Sequence, residues 1–126
     1  MIKTRILAIA LFLFVPATVF AQTSAANKSW NAFWTRFSTA VKTKNRKTIK
    51  AIASKDFFDG GGGGTVGDWI KMLDDDNLWY LVQNSVKKGT MSHGFSEGKP
   101  WRVTRDRHLL FVYEKNGWRF YGIMGD

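Results

Sequence analysis

One stripe of side chains limits this chain more than any other feature. Between residues 24 and 44, Trp30, Phe33, Trp34, Phe37, Ala40 and Val41 recur at spacings of three and four. That is the period of a single helix face. The opposite face carries Asn31, Thr35, Arg36, Ser38 and Lys42, and Ser24 or Asn27 can cap the start. A large apolar side chain contributes about 1.5–3 kcal/mol when fully buried. Four aromatic rings on one stripe therefore make this helix the main core element, and they demand an equally apolar surface to lie on.

The C-terminal segment offers that surface. "HLLFVYEKNGWRFYGIM" is two β-rich runs around Asn116-Gly117, a dipeptide suited to the tight turn of a hairpin. With a two-residue loop at 116–117, Lys115 faces Trp118, Glu114 faces Arg119, Tyr113 faces Phe120 and Val112 faces Tyr121. Glu114–Arg119 would then be a cross-strand ion pair of about 0.2–1 kcal/mol. "TMSHGF" and "WRVT" supply further strands upstream. Helices first and strands later indicate an α+β fold, with N-terminal helices packed on a curved C-terminal antiparallel sheet that ends in the Asn-Gly hairpin.

The middle of the chain reads as short helices. "NRKTIKAIASKDFF" follows Asn45, a plausible N-cap, with Ile49, Ile52 and Ala53 on its apolar edge. Thr65 and Asp68 have the spacing of a capping box before "WIKML", where Trp69, Met72 and Leu73 would face inward. Asp76 or Asn77 could cap a fourth helix, "LWYLVQNSVKKG", with Trp79, Val82 and Val86 on one face and Gly89 as its stop. Between the second and third helices lie five consecutive glycines, Gly60 to Gly64.

The N-terminus bears on compartment. Lys3 and Arg5 precede an apolar run from Ile6 to Val15; Pro16 breaks it, and Val19 and Ala21 stand at the positions of a cleavage site. This is the three-part pattern of a secretory signal peptide, expected over residues 1–21. The apolar core is shorter than the roughly 20 residues of a membrane span. Cleavage after Ala21 would leave 105 of the 126 residues, one domain over 22–126, with 17 basic against 10 acidic side chains. With no cysteine, such a domain relies on its core rather than on disulfides. A periplasmic or secreted protein with no membrane anchor after processing is the expectation.

Chemical motifs are sparse. "GGGTVG" satisfies the dinucleotide fingerprint formally, yet no strand precedes it and residue 87, where an acid is wanted, is Lys. A phosphate-binding loop also needs a Gly-Lys-Ser/Thr that is absent. The glycine run is left as a slack connection in which serine should replace Gly61–Gly63 without effect. "DDDN", Asp74 to Asn77, lacks the spacing of a calcium loop. His93 and His108 have no partner histidine or cysteine, so no metal site and no cofactor are expected. His93 with Glu97 or Asp106 is the candidate acid–base combination.

Two basic groups stand out: Lys42, Lys44, Arg46 and Lys47, with Lys50 and Lys55 beyond them; and Lys99, Arg102, Arg105 and Arg107. Interleaved aromatics could suggest single-stranded nucleic acid, but export argues against it and favours an anionic envelope component. Trp34, Trp69, Trp79, Trp101, Tyr113 and Tyr121 are the candidate lining of a ligand pocket, Trp101 being the one least explained by periodicity.

The layout of "WNAFWTRFSTAVKTKNRKTIKAIASKDFF", "GDWIKML" and "WRVTRDRHLLFVYEKNGWRFYGIMGD" resembles small exported bacterial proteins of the broad NTF2-like/cystatin-like kind. The resemblance implies a long helix wrapped by a curved sheet with a cavity between them, and, for enzymes of that superfamily, an acid or His–Asp pair inside. No such pair matches here residue by residue. The favoured reading is a non-enzymatic exported domain that binds a small apolar or anionic ligand, or an envelope partner, in the helix–sheet cleft. The alternatives are an NTF2-like acid–base enzyme, and an inhibitor or interaction protein using its basic loops.

Overall fold

A computed structural model describes residues 23–115 and 117–124; the expected signal peptide and Asn116 lie outside them. Within the described residues, four helices pack with one five-stranded sheet, an α+β fold. Helix α1 covers residues 23–42. Helix α2 (Arg46–Ile52) and strand β1 (Ala53–Phe58) follow, then α3 (Val66–Asp75), α4 (Trp79–Lys87), β2 (Thr90–Ser96), β3 (Lys99–Thr104), β4 (Leu109–Glu114) and β5 (Gly117–Ile123). The strand order is β1-β5-β4-β3-β2.

The aromatic stripe of α1 meets the sheet as its period demands. Phe37, Phe111 and Phe120 are fully buried, with Phe37 5.0 Å from each of the other two ring centroids. Trp30 sits edge-on to Trp118 at 4.8 Å, and the Trp118 indole N–H donates to the Ala26 carbonyl at 2.8 Å. Edge-to-face pairs of this kind are worth about 0.5–1.5 kcal/mol beyond their burial. The space between α1 and the sheet is thus filled by side chains, and the cleft expected there as a ligand site is occupied by the core itself.

The local signals for the starts of α2 and α3 hold, whereas Ser24 and Asn27, the candidate caps of the first helix, lie within α1. Asn45 accepts from the Thr48 N–H at 3.1 Å. Thr65 and Asp68 form a reciprocal capping box, Asp68 N–H to Thr65 Oγ1 at 3.2 Å and Thr65 N–H to Asp68 Oδ2 at 2.9 Å. Helix α4 differs: its N-cap is Leu78, without a side-chain bond, and Asn77 takes φ 57° in the preceding turn. Of the residues expected to face inward from α3, Trp69 and Leu73 are buried with Ile70, whereas Met72 is exposed.

The sheet departs from expectation in two places. Residues 53–58, expected to continue the second helix, are strand β1, and β1 runs parallel to β5, so the sheet is mixed. The gain lies in tertiary packing: Phe57 reaches Phe120 at 5.3 Å and Trp69 at 6.1 Å. In the hairpin, Glu114 pairs with Gly117, Tyr113 with Trp118, Val112 with Arg119 and Phe111 with Phe120. The register is displaced by one pair from the expected one. Because that slip moves each partner by two residues, every side chain keeps its face. It removes the expected Glu114–Arg119 pairing, and Glu114 instead accepts from Ser54 Oγ at 2.8 Å.

Candidate functional site

The glycine run is built, not slack. Asp59 turns its carboxylate back into the loop and accepts from the N–H groups of Gly61, Gly63 and Gly64 at 3.2, 2.9 and 2.5 Å. The bond from Gly64, reinforced by the others, holds the Asp59 pKa below the usual carboxylate range. The loop therefore does cradle an anion, its own aspartate. Gly61 and Gly63 adopt φ 114° and 76°, backbone that serine enters only with strain, and a Cβ at Gly62 would lie 3.0 Å from Asp59 Oδ2. The expectation that serine is harmless here is overturned.

The acid–base candidates separate. His93 and Glu97 are exposed on β2 and in the turn after it, and no hydrogen bond joins them among the described residues. Asp106 is engaged elsewhere. Its Oδ1 accepts from Thr104 Oγ1 at 2.7 Å and from the His108 N–H at 3.2 Å; its Oδ2 accepts from Ser85 Oγ at 2.7 Å. Partial burial raises the Asp106 pKa, but the bonds from Ser85, Thr104 and His108 outweigh it and the carboxyl titrates below its ordinary range. Ser85, His108 and Asp106 form no catalytic triad. Ser85 and Asp106 both approach the same imidazole nitrogen, Nδ1, each at 3.4 Å, whereas a triad needs the nucleophilic hydroxyl on one nitrogen and the carboxylate on the other. Ser85 is also buried. The cluster fastens the β3–β4 turn to α4.

The aromatic candidates are mostly structural. Trp69 and Trp79 are buried core residues; Trp34 and Tyr113 are half-buried against the same core. Trp101, expected at a pocket edge, is buried, and its indole N–H donates to the Ser96 carbonyl at 2.9 Å. Its ring meets Tyr121 edge-on at 4.9 Å. Both belong to the sheet face away from α1, where Val103 and Val112 are also fully buried. This second face carries a small apolar cluster of its own.

The basic groups divide as well. Lys42, Lys44 and Lys47 are exposed, as are Arg105 and Arg107. Arg46 is tied down: its Nε donates to Asp74 Oδ2 at 2.7 Å, and Asp74 Oδ1 also accepts the Trp79 indole N–H at 2.8 Å. The Arg46 and Trp79 bonds lower the Asp74 pKa to about 2. Arg102, expected at the surface, packs over the Trp30 ring at 4.7 Å, and its burial lowers its pKa.

A different set of cations converges. Lys50 of α2, Lys55 of β1, Lys99 of β3, Lys115 after β4 and Arg119 of β5 line a trough of about 790 Å³ beside Asp56 and Glu114. None of the five has an ion-pair partner among the described residues. Val112 pairs with both Trp101 and Arg119, which sets Arg119 in one cross-strand row with Trp101 on the second face. Gly117 has no side chain, so Glu114 reaches over β5 to Ser54 of β1. Lys99, Lys50 and Lys55 are visible in sequence as basic residues, but Lys99 reaches the trough through the antiparallel β3–β4–β5 ladder, and only the parallel addition of β1 beside β5 brings Lys50 and Lys55 to it. A second recess, of about 190 Å³, is apolar and lies between α3, α4 and the sheet, with Leu73, Val82 and Leu109 in its wall and the exposed Met72 and Leu81 at its rim.

Among the described residues no group of three or more His, Cys, Asp or Glu side chains is placed to hold a metal ion, and no helix is long and apolar enough to cross a membrane. Comparison with protein-family models, with curated proteins and with solved structures finds no match to this chain.

Proposed function

We propose that this chain is an exported, non-enzymatic domain that binds an anionic component of the cell envelope in the trough lined by residues of α2, β1, β3 and the β4–β5 hairpin. The observation that carries the reading is the trough's charge: five cations against two carboxylates around a concave volume of about 790 Å³. Unpaired like charges in one recess repel one another and raise the local concentration of anions. One of the two carboxylates, Glu114, is already engaged by Ser54. Export rests on the N-terminal pattern of residues 1–21. The order of helices before sheet is in keeping with the NTF2-like/cystatin-like resemblance, with the ligand moved from the inner cleft to the outer face.

The test is binding of the full chain to an anionic matrix and its elution by salt. Lys55→Glu with Arg119→Glu should release the protein at clearly lower salt, while Lys42→Glu with Lys47→Glu, equal in charge but outside the trough, should shift elution less. Equal shifts would mean that net charge alone accounts for retention and would sink the proposal. The apolar recess favours a second reading, a small apolar ligand seated between α3 and α4. A thermal shift with aromatic probes that Leu81→Ala abolishes would support it.

A further inference from the structure

Resting on the anion-binding reading, we infer that the trough's ligand is a flexible linear polyanion, with charged groups repeated along a chain, and not a single compact anion. The cations come from several separate elements. Lys55, Arg119 and Lys99 stand on β1, β5 and β3, and in the sheet order β4 lies between β5 and β3. Three inter-strand spacings separate the outer strands, about 14 Å. Five cations around a recess of about 790 Å³ carry more charge and span more space than one phosphate or carboxylate group neutralises or fills. Lys50 and Lys115 extend the positive field along the trough from a helix and a turn.

Four of the five cations are lysines. Lysine is a point charge on a flexible stem, without the fork that fixes a single carboxylate. The arrangement fits a ligand whose charges follow one another at variable positions. It fits a planar lipid surface poorly, because the cations line a recess floored by the sheet and not a protruding face.

The experiment is titration of the full chain with orthophosphate, tripolyphosphate, long-chain polyphosphate and poly-glutamate, alongside vesicles containing an anionic phospholipid. Affinity should climb from orthophosphate through tripolyphosphate to the long chain. The long chain should show a slope of log K against log salt of about −3. Lys99→Gln and Arg119→Gln should each flatten that slope by about one unit. Glu114→Gln should act in the opposite direction and tighten binding roughly twofold to fivefold by removing a repelling charge. Poly-glutamate binding as well as polyphosphate would assign the site to charge spacing; a preference for polyphosphate would assign it to phosphate. Orthophosphate binding as tightly as the long chain would overturn the polymer inference and leave the anion reading standing. Vesicles outcompeting both polymers would replace the polymer with a membrane. No binding by any anion would remove both inferences together.

Discussion

Gly122 gives the sharpest test of the β1–β5 pairing, the element that assembles the trough. It lies opposite Phe58 of β1, and a Cβ built on it would stand 1.9 Å from the Phe58 carbonyl oxygen. Ordinary contact begins at 3.4 Å, so in Gly122→Ala the end of β1 must retreat by the difference, 1.5 Å. A ladder bond of about 2.9 Å stretched by that much is lost. Strand β1 is an edge strand with β5 as its one neighbour, so it has no second ladder to hold it. One or two bonds at about 0.5–1.5 kcal/mol net, with Phe57 loosened from Phe120 and Trp69, amount to about 1–3 kcal/mol, the usual cost of overpacking. For a domain of this size each kcal/mol lowers Tm by about 4–8 °C. The comparison is Gly117→Ala, five residues earlier in β5, a position where a Cβ meets nothing within 4 Å and which lacks the added strain of the φ of 157° at Gly122. That change should be neutral or stabilise by about 0.4–1 kcal/mol through the unfolded chain. Urea unfolding followed by tryptophan fluorescence reads both. If the two variants unfold within about 0.5 kcal/mol of each other, β1 does not approach β5 as described and the argument fails.

Serine at both Gly61 and Gly63 should destabilise by about 1–2 kcal/mol per site, visible as a lowered urea midpoint; an unchanged midpoint would restore the slack-loop reading. Phe111→Ala, which removes a fully buried ring touching Trp30, Phe37 and Phe120, should cost about 3–5 kcal/mol and leave little folded protein by circular dichroism at room temperature; retention of most of the stability would contradict the filled helix–sheet interface. Asp74 is depressed to about 2 by Arg46 and Trp79, so its contribution is present above the unfolded carboxylate pKa near 3.9 and fades as pH falls from there through about 2. Asp74→Asn should therefore lower the midpoint at neutral pH and flatten its acid limb, and an acid limb identical to that of the parent protein would refute the clamp.

What could be read from the sequence was local. A helix closes its bonds within four residues, so the stripe from Trp30 to Val41, the Asn45 cap and the Thr65–Asp68 box all announce themselves within one or two turns. The β4–β5 hairpin was legible for the same reason, down to the face each side chain takes, although its register was not. The lack of cysteine was legible too, so that no disulfide staples the fold. Tertiary structure decided the rest. Residues 53–58 read as helix from the sequence and become strand because β5 is present to pair with them and Phe120 to receive Phe57. Asp59 fills the glycine loop because that chain path brings its carboxylate to three N–H groups, which no spacing rule encodes. Lys50 and Lys55 meet Lys99, Lys115 and Arg119 only after a parallel pairing across more than sixty residues. Contacts that far apart leave no period in the chain, and the trough, unlike the core helix, belongs wholly to them.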